Sequence, residues 1–332
     1  MRKALVAMAL MMPASSALAQ ETACDQLAGY RLIPRVEGAA GVYAISQPEA
    51  AVTACLAERT AHPDDPWFAV LLARARLAAD PADGRAVGLL RGAMEEMPAL
   101  ASAELGRLYE TGQGALPTGD RQARDFYTAA CDAWPDRVAA PGCTRLAVMK
   151  IEGRGGPADE AGGFALLDNL CRSGWGTACL QQAFQTDLHA EGDFDEISRQ
   201  IVTLFEAGCE GGDLLACSQF GYRLELGDGV THDPARAQAL YRQACDGGEP
   251  QGCSYLGEIY RSGLGVQPDM VEAVRLFRLG CAGSDPYACV TLGDILSEGR
   301  GVEVNLPEAI AALDHACWLG DPEACDMADG LR

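Results

Sequence analysis

Residues 245–281 read CDGGEPQGCSYLGEIYRSGLGVQPDMVEAVRLFRLGC, and this stretch holds one complete unit of a repeat. A cysteine pair spaced C-x7-C, Cys245 and Cys253, opens it. Tyr255, Leu256, Ile259 and Tyr260 then recur at helical spacing and predict a first helix. Gly263-Leu264-Gly265 is a helix-stop signal. Asp269 is placed to cap a second helix, with Glu272 three residues on to complete a capping box. Val274, Leu276, Phe277 and Leu279 give the second helix apolar surface, and Cys281 opens the next unit. The unit is therefore a helix hairpin.

From Cys209 onward the same pattern advances by 36 residues at a time. Cys209/Cys217, Cys245/Cys253, Cys281/Cys289 and Cys317/Cys325 keep one spacing, and Cys171/Cys179 shares it. Gly221, Gly257 and Gly293 form one column, Gly227, Gly263 and Gly299 a second, and Gly229, Gly265 and Gly301 a third. Asp233, Asp269 and Asn305 follow, then Ala237, Ala273 and Ala309. Pro234 after Asp233 suits a first helical position, and Asn305 with Glu308 repeats the capping arrangement. Gly257 falls mid-helix, where glycine costs up to about 1 kcal/mol relative to alanine. Its recurrence predicts that two helices cross closely there, with no room for a side chain.

Towards the N-terminus the pattern decays. Gly106, Gly112 and Gly114 keep the glycine spacing, with Ala123 and Cys131 after them; Ala147, Gly153 and Gly155 follow Cys143. The unit of Cys179 has His189 and Glu191 where the loop glycines belong. Trp67–Ala79 and Arg85–Met97 read as a helix pair without cysteines, and residues 20–45 carry no repeat signal. The expected organisation is a leader over 1–19, an N-terminal segment with partial helix over 20–65, and repeats over 66–332. The expected fold is an all-α solenoid of stacked hairpins.

Residues 1–19 set the compartment. Arg2 and Lys3 precede the apolar run Ala4–Met12, and Ala17-Leu18-Ala19 is a small-x-small cleavage site. This is the signature of a secretory signal peptide. The run is shorter than the roughly 20 residues a membrane span needs, so no stable membrane insertion is expected. Periplasmic residence is the expectation, with secretion the minor alternative. All 14 cysteines lie beyond the leader, and an even count in an exported chain is a disulfide signature.

The formal net charge is −21, from 26 Lys+Arg and 47 Asp+Glu. That leaves no basic surplus to neutralise phosphates, so nucleic acid is not an expected partner. Anionic lipid surfaces are disfavoured for the same reason. The acidic balance favours basic partners and speeds their capture.

Leu256-Gly257-Glu258-Ile259-Tyr260, Gly263-Leu264-Gly265-Val266, Asp269, Ala273 and Cys281, recurring in register, resemble the Sel1-like repeat family, a relative of the tetratricopeptide repeat. The resemblance spans roughly residues 66–328 and implies an α/α solenoid used as a scaffold. Within the family the chain is similar to the cysteine-rich secreted bacterial subgroup, in which each hairpin carries its own disulfide. That implies the bridges Cys171–Cys179, Cys209–Cys217, Cys245–Cys253, Cys281–Cys289 and Cys317–Cys325. Cys131–Cys143 is expected as a longer version, and Cys24–Cys55 follows by elimination. Zinc is the competing reading, but structural zinc sites favour C-x2-C with nearby histidine. Here His62, His189, His232 and His315 are scattered in sequence.

Some members of the subgroup have been named β-lactamases or penicillin-binding proteins. A serine enzyme of that class uses Ser-x-x-Lys. The chain has two lysines, Lys3 in the leader and Lys150, and Ala147 stands three before Lys150. The recurrent G-x-G pairs follow helices, whereas a phosphate loop follows a strand. Asp193-Phe194-Asp195 is read as a helix cap rather than a calcium loop. Tyr222, Tyr241, Tyr255, Tyr260 and Phe277 are read as core.

The function expected is a scaffold that binds proteins or peptides in the bacterial envelope, without catalytic, cofactor or metal residues. The alternative is a hydrolase or binding protein directed at β-lactams or peptidoglycan, with peptidoglycan fragments as ligands. Candidate binding residues are non-core positions of the first helices: Arg223, Glu258, Arg261 and Asp294.

Overall fold

The computed structural model describes residues 21–30, 45–189 and 191–332; the leader expected at 1–19 lies outside the described residues. Two N-terminal helices, α1 (Ala23–Ala28) and α2 (Pro48–Ala61), precede the hairpins. These are α3 (Pro66–Ala79) with α4 (Arg85–Ala93), α5 (Pro98–Thr111) with α6 (Asp120–Cys131), and α7 (Ala140–Glu152) with α8 (Glu160–Arg172). They continue as α9 (Gly176–His189) with α10 (Phe194–Glu210), α11 (Leu214–Leu226) with α12 (Pro234–Asp246), and α13 (Pro250–Ser262) with α14 (Met270–Ala282). The last pair is α15 (Pro286–Glu298) with α16 (Leu306–Trp318), and α17 (Pro322–Gly330) closes the stack.

Each hairpin is built by local rules. The first helices α11, α13 and α15 end on Gly227, Gly263 and Gly299, at φ of +71°, +75° and +69°. Only glycine enters that region freely. Asp269 Oδ1 then accepts the Glu272 N–H at 3.0 Å and starts α14. The second half of the expected capping box does not form. The Asp269 N–H already donates to the Tyr260 carbonyl at 2.9 Å, closing the hairpin, and Glu272 turns to Arg275 at 2.8 and 2.7 Å. Asn305 repeats this, with its N–H on the Leu296 carbonyl and Glu308 paired to Arg278.

The mid-helix glycine column is a seat for a side chain rather than a backbone crossing. A Cβ on Gly106 or Gly221 would stand 2.7 Å from the rings of Tyr127 and Tyr241; on Gly257 it would stand 3.1 Å from Phe277. At Gly293 it would meet Leu313 at 2.5 Å. The buried Tyr127, Tyr241, Phe277 and Leu313 come from the second helix of the same hairpin. Glycine's helix cost is offset by burying a large apolar group, worth about 2 kcal/mol.

A second column joins one hairpin to the next. Asp213, Glu249 and Asp321 N-cap first helices and α17 by accepting backbone N–H groups. Two of these carboxylates also reach the preceding first helix: Thr177 Oγ1 donates to Asp213 at 2.9 Å and Ser218 Oγ to Glu249 at 2.7 Å. Ser254 bonds Asp285 in the same way. Burial pushes the Asp213 and Glu249 carboxyls above their usual range, against those bonds.

Second helices also close on a left-handed residue. Gly212, Gly248 and Gly320 have φ of +87°, +86° and +102°, and Ser284 occupies the equivalent position at +67°. A side chain there costs roughly 1 kcal/mol. Ser284→Gly is therefore expected to raise stability by about 1 kcal/mol in urea unfolding; an unchanged midpoint counts against strain at this turn.

Successive first helices pack directly on each other from α5 to α15, whereas close approach of neighbouring second helices is confined to α14 and α16. The closer-packed layer is the inner one, so the first helices line the concave side. Among the described residues no helix is long and apolar enough to cross a membrane.

Candidate interaction face

All 14 cysteines are paired, and every bridge from Cys131–Cys143 onward ties the end of one hairpin to the start of the next. In the five C-x7-C pairs the Cα atoms lie 4.5–4.8 Å apart. Cys131 ends α6 and Cys143 lies in the first turn of α7; Cys24 of α1 meets Cys55 of α2. One histidine is not scattered in space. His315 Nδ1 stands 3.7 Å from the sulfurs of both Cys281 and Cys289. Metal ligation needs thiolates, and the bridge consumes both. Gln243, two repeats earlier in register, covers Cys217 at 3.6 Å, so this position acts as a lid over the preceding bridge.

The inner face is built from registers one repeat apart. Tyr222, Glu258 and Asp294 share one; Gln219, Tyr255 and Thr291 share another, three residues earlier. The rings of Tyr222 and Tyr255 stack at 5.6 Å across the gap between α11 and α13. Glu258 and Arg261, one turn apart on α13, form a bidentate pair at 2.7 and 2.8 Å. The Tyr287 hydroxyl donates to Glu258 at 3.1 Å. Asp294 pairs with Arg300 at 3.1 Å. Tyr222 is 39% exposed and Tyr287 48%.

Of the four candidate residues, Glu258, Arg261 and Asp294 belong to this face. Arg223 does not offer itself in the same way. It occupies the register of the buried Ile259 and Ile295, its side chain is 19% exposed, and its guanidinium is bound to Asp228 and lies 6.0 Å from the Phe205 ring. The recurrent aromatics divide. Tyr241 and Phe277 are core, whereas Tyr222 is surface, and Tyr255 is half-buried beneath it. Tyr287 was missed by sequence reasoning; the signal for Tyr222 was its shared register with Glu258 and Asp294. Asp193 caps α10 as expected, accepting the Asp195 N–H at 2.9 Å.

At the N-terminal end the inner face is occupied by the chain itself. α1 leads into Tyr30, whose hydroxyl donates to Glu104 of α5 at 2.5 Å. Arg107 Nε holds the same carboxylate at 3.0 Å. The Tyr30 ring lies 6.0 Å from Trp67 of α3 and beneath Arg74, 4.5 Å from its guanidinium. Arg74 also donates to the carbonyls of Ala28 and Gly29 at 2.7 and 2.9 Å, and Trp67 Nε1 to Asp25 at 2.7 Å. Burial first, and then the Glu104 carboxylate, push the Tyr30 phenol well up. Burial opposes ionisation of Glu104, but Arg107, Tyr30 and Arg74 outweigh it and hold the carboxyl below its usual range. Carboxylates, paired arginines and aromatic faces are groups able to hydrogen-bond, pair with charge and stack.

The Sel1 repeat family model matches residues 99–133, 140–174, 214–249, 250–285 and 286–311, half of the chain. The hairpin α9/α10, which lacks the loop glycines, falls between matches yet keeps its place in the stack. A Sel1 repeat protein from Oxalobacter formigenes is 19% identical, with a TM-score of 0.54 over 75% of this chain and 96% of that one. A protective antigen of uropathogenic Escherichia coli strains with an SLR fold is 21% identical, with a TM-score of 0.40 over 87% and 67%. A Klebsiella pneumoniae Sel1 repeat protein is 21% identical, with a TM-score of 0.41 over 63% and 98%. No curated protein matches the chain. The repeat matches, the hairpin geometry and the conserved spacing of glycines within the chain place it in the Sel1 repeat family.

Proposed function

We propose that the chain is an exported scaffold of the bacterial envelope whose inner face binds a protein or peptide. The observation that carries this reading is the polar and aromatic surface formed on the first helices by Tyr222, Tyr287, Glu258 and Arg261, with Tyr222 and Glu258 one repeat apart. Sel1 repeat membership supports a scaffold. The leader signature, together with seven cysteine pairs, supports export to an oxidising compartment. The charge of −21 favours a basic partner whose capture weakens as salt rises.

The test is site-specific photo-crosslinking in cells. A photoreactive residue at Tyr287 is expected to trap a partner from the periplasmic fraction, on a chain beginning at Gln20. The same residue at Val271, exposed on second helix α14, is the control. Adducts formed only from 271, or none from either position, would remove the inner face as the binding surface.

A further inference from the structure

The N-terminal segment displays an interaction that the later hairpins leave open. On α5, Glu104 and Arg107 form an i,i+3 pair, and the carboxylate receives a tyrosine hydroxyl from an extended stretch of chain, Gly29–Tyr30. Trp67, on the preceding first helix, provides the aromatic wall. On α13, Glu258 and Arg261 form the same i,i+3 pair. Tyr222, on the preceding first helix, stacked on Tyr255, supplies the wall. The pair sits three residues further along its helix than the α5 pair, on the same inner side.

The two places differ in cover. The Glu104 side chain is 12% exposed beneath its tyrosine, whereas Glu258 is 30% exposed. Glu258 already takes Arg261 and Tyr287, but a carboxylate has about four acceptor positions and can take another donor. A wall of two tyrosines beside an available carboxylate suits a flat ring carrying a hydroxyl.

We propose that the α11–α13 part of the inner face binds an extended segment of a partner protein through a tyrosine, its ring on Tyr222 and its hydroxyl on Glu258. This rests on the peptide-scaffold reading and adds the chemistry of the anchor. Gly29–Tyr30, following α1, act as an intramolecular copy of that tyrosine anchor, and the Cys24–Cys55 bridge fixes α1 at one end of the groove.

A peptide-display selection against the immobilised mature chain tests it. Enriched peptides are expected to carry a tyrosine at a fixed position. Their affinity is expected to fall about tenfold when that tyrosine becomes phenylalanine, because a hydrogen bond to a charged acceptor is lost. Glu258→Gln in the protein is expected to weaken the same peptides comparably. Glu258 is on the surface of its helix, and circular dichroism would verify that the variant is folded. Binders that lack tyrosine, or that ignore both changes, would overturn the anchor while leaving the scaffold intact. A selection yielding no binders would defeat the scaffold reading together with the anchor.

Discussion

Replacing both Cys24 and Cys55 with serine is expected to cost about 3.5 kcal/mol, more than opening any of the C-x7-C bridges, which are worth about 2.5 kcal/mol each. The difference comes from loop size: the two cysteines are 31 residues apart, against 8 in the short pairs. What the bridge holds also matters. α1 has six residues, too few to be helical alone, even with the Thr22 capping box. Without the bridge, it depends on Trp67 to Asp25, on Arg74 to the carbonyls of Ala28 and Gly29, and on Tyr30 to Glu104. Repeat arrays open from their ends, so the loss should appear locally. Amide exchange over residues 22–30 should accelerate by orders of magnitude while the hairpins from α11 onward stay protected. Unchanged protection over 22–30 would mean that the polar contacts alone hold the segment. A uniform loss along the stack would mean that the array unfolds as one unit.

The parts of this molecule that were legible in the sequence are those fixed by local rules repeated in register. Gly227, Gly263 and Gly299 marked helix ends because a left-handed closure admits few other residues. The cysteine spacing marked the turn between hairpins, because across a short turn an offset of eight brings a helix end over the next helix start. What stayed hidden depends on tertiary neighbours. Ser218 and Glu249 are unremarkable as types, and their bond between hairpins exists only because consecutive first helices pack side by side. The capping box at Asp269 fit the sequence pattern, but Tyr260 had already claimed the N–H it was meant to satisfy. Arg223 was read as a non-core position, yet its register belongs to Ile259 and Ile295, and Asp228 made the half-buried arginine tolerable. The use of the inner face by Tyr30 was illegible for a different reason: residues 22–30 lie outside the repeat and carry none of its periodicity.

Two glycines from one sequence column are expected to respond very differently to alanine. Gly155 and Gly265 are equivalent second glycines of the loop, at φ of +69° and +73°. Alanine in that conformation costs about 1 kcal/mol at either place. Around Gly265 a Cβ would find nothing within 4 Å, so Gly265→Ala should lose only that amount. At Gly155 the Cβ would overlap the backbone carbonyl of Asp120 and stand 3.0 Å from the Arg121 nitrogen. Those atoms belong to the first turn of α6 and cannot swing aside as a side chain tip does. Relief requires the α7–α8 loop to move off α6, which also stretches Arg154 from Asp120, now at 2.6 Å, and from Glu110, at 2.8 Å. Gly155→Ala is therefore expected to cost about 3 kcal/mol or more, the range of overpacked sites plus strain. Urea unfolding of the two variants measures the gap directly. Equal losses would show that the column is kept for its backbone conformation alone; a gap of about 2 kcal/mol would show that, at Gly155, it also sets how closely one hairpin stacks on the last.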